Sequence, residues 1–113
     1  MHEYSIVQAL YDSIVVQAAA KQAVGVHQVR VRIGEMSGVD VGLLDTAWRT
    51  FRVYTICEAA PLEVEVVPVR WACAACGSEA RRGGLLRCGA CGGAMRLTQG
   101  DEIVLERIVM EVP

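Results

Sequence analysis

The chain has 113 residues, 53% of them hydrophobic, with 11 basic and 13 acidic side chains for a net charge of −2, and five cysteines. No stretch free of Asp, Glu, Lys and Arg exceeds eight residues, far short of the ~20 apolar residues that cross a bilayer, so a membrane-spanning helix is excluded. The start, Met1-His2-Glu3-Tyr4, carries neither a basic run nor a long apolar stretch. It does not read as a secretory signal, and the expected location is the cytoplasm.

From Tyr4 to about Lys21, Val7, Leu10, Tyr11, Ile14, Val15 and Ala18 recur at three- and four-residue steps, the period of an amphipathic helix. Gly25 follows as the expected stop. His27 to Ile33 then alternates Val29, Val31 and Ile33 with Gln28, Arg30 and Arg32, which predicts a half-buried strand with His27 on its inner face. Asp40 offers an N-cap to a second helix, whose buried stripe is Val41, Leu44, Trp48 and Phe51. That helix is expected to fade between Thr55 and Glu58. Leu62 to Val66 alternates again and is closed by Pro68, which cannot donate to a ladder.

Residues 70–100 differ from their surroundings. They hold four of the five cysteines, seven of the eleven glycines, and five basic residues against one acidic (+4), whereas residues 1–69 carry −3 and residues 101–113 carry −3. The last segment, Glu102 to Val112, reads as a strand that changes phase near Glu106 and Arg107. A strand–helix–strand unit makes the first two strands parallel, and the third returns antiparallel. The predicted fold is α+β: a small mixed three-stranded sheet with two helices on one face, plus an inserted zinc-ribbon domain. The boundaries are 1–69 with 101–113 for the scaffold and 70–100 for the insert.

The insert reads Cys73-Ala74-Ala75-Cys76-Gly77 and, after eleven intervening residues, Cys88-Gly89-Ala90-Cys91-Gly92. Two residues between cysteines let both sulfurs converge on one ion, and two such knuckles supply the closed tetrahedral set that structural zinc prefers. Cys73, Cys76, Cys88 and Cys91 are therefore the metal ligands, and Cys57 is a small buried hydrophobe. Arg70, Arg81, Arg82, Arg87 and Arg96 can offset thiolate charge. They also leave open a zinc-ribbon module for nucleic acid, although Trp71 is the insert's one aromatic residue, too few for a base-stacking platform. A third reading, a four-cysteine iron electron carrier, uses the same ligands.

At the other end, the Met1 amine, a deprotonated backbone amide and the His2 imidazole can close adjacent chelate rings. Such planar nitrogen donors suit nickel(II) or copper(II), and Glu3 can add an oxygen donor. The plain reading of these residues is the first turn of a helix.

The combination of Met1-His2-Glu3-Tyr4-Ser5, Arg32-Ile33-Gly34-Glu35-Met36-Ser37-Gly38, Ala60-Pro61-Leu62-Glu63 and the doubled cysteine knuckles, in this order, resembles the HypA/HybF family of hydrogenase maturation factors. Met36 stands where the family usually has leucine, and no histidine lies near the ribbon. The resemblance implies a nickel metallochaperone. It implies nickel as transported cargo held by His2, with the Met1 amine and Glu3, and structural zinc on Cys73, Cys76, Cys88 and Cys91. It implies as partners the maturation GTPase of the pathway and the hydrogenase large subunit precursor. Some relatives also serve urease maturation proteins. Residues 1–69 and 101–113 then become the nickel-binding α/β domain. No activated nucleophile, carboxylate pair or phosphate-binding glycine loop is apparent. A binding protein, not an enzyme, is expected, with neither nucleic acid nor membrane as a partner.

Overall fold

The computed structural model describes residues 2–80 and 87–113. In chain order the elements are α1 (His2–Ala20), β1 (Gly25–Gly34), α2 (Val41–Phe51), β2 (Leu62–Val67), β3 (Arg70–Cys73), β4 (Glu79–Ala80), β5 (Met95–Gln99) and β6 (Ile103–Glu111). They form two three-stranded sheets, ordered β2-β1-β6 and β4-β3-β5. Two compact units result: residues 1–32, 39–65 and 104–113 in the first, and 33–38 with 66–103 in the second.

The first unit has the predicted α+β form, with two helices against a mixed sheet. Cross-strand side chains record the strand directions. Gln28 reaches Glu63 and Arg30 reaches Glu65, so partners advance together and β1 runs parallel to β2. By contrast His27 meets Glu111 and Arg30 meets Glu106, so β6 runs antiparallel. Arg30 and Arg32 each contact both Glu65 and Glu106. The guanidinium of Arg30 is held above its usual range, chiefly by its bond to Glu65. These ion pairs lie on the sheet's solvent face, where water screens them.

The apolar side is built by periodicity. Val7, Leu10, Ile14 and Ala18 of α1, Leu44 and Trp48 of α2, and Val26, Val29 and Val31 of β1 are buried, the arrangement that three- and four-residue steps on helices and two-residue steps on a strand produce. Val15, counted in the predicted stripe, is 37% exposed. Phe51 joins the helices, stacking edge-on against Tyr4 and Tyr11 at 5.7 and 5.1 Å. The Trp48 indole N–H and the Arg52 guanidinium both donate to the Ala60 carbonyl at 2.9 Å, which ties α2 to the turn that enters β2. Asp40 caps α2 as expected, its side chain accepting from the Leu43 amide at 3.0 Å.

Three local expectations are corrected. Helix α2 ends at Phe51, short of the expected fade between Thr55 and Glu58, with turns reaching to 59. Gly25 opens β1, and Gln22 stops α1 instead: it takes the left-handed conformation (φ +54°) while the Ala23 amide reaches back to the Ala18 carbonyl at 2.9 Å. His27 points outward to Glu111, because the burial pattern of β1 changes phase between Val26 and Val29, both of which are buried. In β6 the alternation breaks where sequence placed it, since Glu106 and Arg107 are both exposed.

In the second unit, the signature segment, residues 33–38 of the Arg32–Gly38 motif, grips the two backbones that lead into and out of the ribbon. The Gly34 amide donates to Glu102, the Glu35 amide to Val67 and the Met36 amide to Gly100, at 2.7, 2.8 and 2.6 Å. The Glu35 carboxylate accepts the Val69 amide at 3.0 Å. A Cβ on Gly34 would stand 2.3 Å from the Gly100 carbonyl carbon, so no side chain fits there. Beyond this root, β3 pairs antiparallel with β4 and β5, with an irregularity between Arg70 and Trp71.

The left-handed Gln22 supplies a stability test. Replacing a non-glycine residue at this cap removes Cβ strain of about 1 kcal/mol, offset in part by the freer unfolded chain. Gln22→Gly is expected to stabilise the protein by up to about 0.5 kcal/mol, read as a higher urea midpoint with an unchanged slope.

Candidate metal centre

The four ribbon cysteines converge as their spacing demands. All four Sγ atoms lie within 4.8 Å of one another. Across the knuckles, Cys73 and Cys91 are 3.4 Å apart and Cys76 and Cys88 are 3.7 Å apart. Sulfurs bound tetrahedrally at about 2.3 Å from one ion stand about 3.8 Å apart, so the donor set fits a zinc-type centre.

Each knuckle is made by the same local bonds. The Gly77 amide donates to the Cys73 carbonyl at 3.0 Å and the Gly92 amide to the Cys88 carbonyl at 2.9 Å. Both glycines have φ +76°, a conformation that a Cβ penalises. That turn aims backbone amides at sulfur: Ala75 and Cys76 toward Cys73, Ala90 toward Cys88 and Gly93 toward Cys91, all at 3.3–3.4 Å. Amides so placed stabilise thiolates, the form that binds metal.

Four thiols this close cannot ionise independently. The Ser78 hydroxyl and amide pull the Cys76 thiol down to about 6, and the Cys76 and Ala75 amides lower Cys73. The Gly93 amide favours the Cys91 thiolate, but the neighbouring sulfurs, Cys73 first, push Cys91 up to about 12. A bound cation would remove that conflict by replacing the shared protons. Cys57 is fully buried elsewhere, with its thiol pushed up to about 11 by burial alone, which suits an inert core position.

The N-terminal candidates fall differently. Met1 lies outside the described residues, as do Arg81 and Arg82 of the basic insert, and His2 is the first residue of α1. Glu3 is 8% exposed and its carboxylate accepts the Asp40 amide at 3.1 Å. That bond is the main reason its carboxyl sits below the usual range. Sequence could not pair Glu3 with Asp40, 37 positions away. It also missed Ser78, whose hydroxyl is 3.2 Å from Cys76 Sγ, and Gly93, where a Cβ would stand 3.0 Å from Cys73 Sγ and 3.2 Å from Cys91 Sγ. Their position, two residues after the last cysteine of each knuckle, was the available signal.

Two measurements follow from this geometry. Gly93→Ala is expected to lower metal affinity by about 10–100-fold, the usual effect of disturbing groups just behind the ligands, in a competition titration against a chromophoric chelator. Glu3 is held below its unfolded value, so its contribution to stability is present above about pH 4.5 and lost as pH falls through the folded value. Denaturation of the parent and Glu3→Gln should differ at neutral pH and converge in acid.

Comparison with known proteins points to one family. Residues 1–110 match the family model described as "Hydrogenase/urease nickel incorporation, metallochaperone, hypA". The hydrogenase maturation factor HypA of Nitrosospira multiformis is 38% identical over 107 residues, covering 93% of each chain. That of Shewanella oneidensis is 39% identical over 115 residues, covering 98% of this chain and 96% of the relative. The solution structure of the Ni metallochaperone HypA from Helicobacter pylori aligns with a TM-score of 0.73 at 30% identity, covering 98% of both chains. A second HypA solution structure aligns with a TM-score of 0.79 at 32% identity, covering all of this chain and 98% of the other. With the fold, the four-cysteine centre and the full-length match in agreement, this chain belongs to the HypA family of metallochaperones for hydrogenase and urease nickel incorporation.

Proposed function

We propose that this chain carries nickel at its N-terminus, on the Met1 amine, the deprotonated His2 amide and the His2 imidazole, with Glu3 adding an oxygen donor. It delivers that nickel to the large subunit precursor of nickel–iron hydrogenase, together with the maturation GTPase of the same pathway. Urease maturation proteins are a second class of partner. Residues 1–69 and 101–113 act as the nickel-binding domain, and residues 70–100 form a ribbon whose four cysteines hold structural zinc. The protein works in the cytoplasm as a carrier and not as a catalyst.

The observation that carries this reading is that α1 begins at His2. The first four amides of a helix have no intrahelical acceptor, so the His2 amide can lose its proton to a metal without breaking a helix bond. Glu3 lies in the same first turn, and its anchored carboxylate brings negative charge beside the amides that a cation would otherwise find repulsive. A site with few protein ligands at a chain end suits release as well as capture. The energy of transfer comes from the GTPase partner or from the acceptor's higher affinity.

Calorimetric titration of nickel into zinc-loaded protein with its native N-terminus tests the site. Binding is expected to be lost in His2→Ala and when one residue is added before Met1; parent-like binding in both would refute it. Nickel affinity should fall by about tenfold or more per pH unit below neutrality, because protons compete for imidazole, amine and amide.

A further inference from the structure

The two knuckles share a backbone but not a sulfur environment. Cys73 and Cys88 are buried, while Cys76 and Cys91 are exposed, so the second cysteine of each knuckle is the more open to a reagent arriving from water. Two residues beyond these sulfurs the halves diverge. Ser78 sets a hydroxyl 3.2 Å from Cys76 Sγ. Gly93 gives Cys91 Sγ an amide at 3.4 Å and no side chain.

A thiolate bound to a metal ion has no proton to donate, so the Ser78 hydroxyl must donate to Cys76. A hydrogen bond to an anionic acceptor is stronger than a neutral one. It draws density from the sulfur lone pair that would attack an electrophile, and the attack must break it. Among the described residues, Cys91 Sγ accepts the Gly93 amide and no hydroxyl.

We infer that Cys91 is the reactive thiolate of this centre, a modification site for soft electrophiles, and that Ser78 is a positioning residue that shields Cys76. This rests on the zinc reading of the four cysteines. With iodoacetamide as the electrophile, the Cys91 sulfur lone pair forms a bond to the methylene carbon as the carbon–iodine bond breaks and iodide leaves with its electron pair. The product is a neutral thioether, a far poorer ligand than a thiolate. Modification of this one sulfur therefore loosens the whole ribbon centre.

The test uses the full chain, with zinc content measured first and iodoacetamide then added below one equivalent. Peptide mass spectrometry reads the alkylation rate at each cysteine, and a chromophoric chelator reads zinc release. Cys91 is expected to react about tenfold faster than Cys76, in line with the loss of one charge-assisted hydrogen bond. Ser78→Ala should raise the Cys76 rate to that of Cys91, and Ser78→Thr should keep it low. Equal rates in the zinc-loaded parent would overturn the inference without any variant, as would a Cys76 rate unchanged in zinc-loaded Ser78→Ala. A parent preparation without zinc would instead overturn the zinc reading and this inference with it.

Discussion

The ribbon unit depends on the close passage of two backbones at Gly34 and Gly100. Gly100 has φ +104°, and a Cβ there would stand 2.6 Å from the Val69 Cα; one on Gly34 would overlap the Gly100 carbonyl. Only glycine meets both conditions. Their contact lets residues 34–36 bond simultaneously to the chain entering the ribbon and to the chain leaving it. The Glu35 carboxylate then occupies the remaining amide, that of Val69. The signature segment, whose function is not evident from its residue types, is a clasp of hydrogen bonds made possible by missing side chains.

Beyond the clasp, the described residues of the ribbon bury few apolar side chains. Among the described residues from 66 to 103, the buried hydrophobic ones are Val69, Cys73 and Cys88. An antiparallel sheet of short strands with so small a core is marginal in water. Metal binding supplies what burial does not, because a site assembled only in the folded state turns ligation energy into folding energy. The same thiolates that repel one another without a cation become the strongest restraint once one is bound. The amides aimed at sulfur and the glycine turns that aim them serve that single end.

The α/β unit solves a different problem. Its helices are held by apolar burial and aromatic contact. Helix α1 is fixed by the buried row Val7, Leu10, Ile14 and Ala18 and by the aromatic contacts to Phe51. The Glu3 carboxylate pins its first turn to the start of α2.

Much of this molecule was legible without coordinates, because its signals are periodic or closely spaced. Helical stripes, alternating strands, the Asp40 cap and the paired cysteines depend on neighbours within a few residues, where covalent geometry already limits what the chain can do. The His-Glu start, the signature segment and the knuckles in order were enough to indicate the family. The folded arrangement decided what rests on distance and angle. Nothing local says that Glu3 meets the Asp40 amide, that Gly34 must pass Gly100, or that His27 turns outward to Glu111. Nor does spacing distinguish Cys76 from Cys91, whose difference is one hydroxyl 3.2 Å from one sulfur. Sequence determined which groups exist and which short-range shapes they favour; tertiary structure decided which of them meet, because packing, close approach and hydrogen-bond direction are set by segments far apart in the chain.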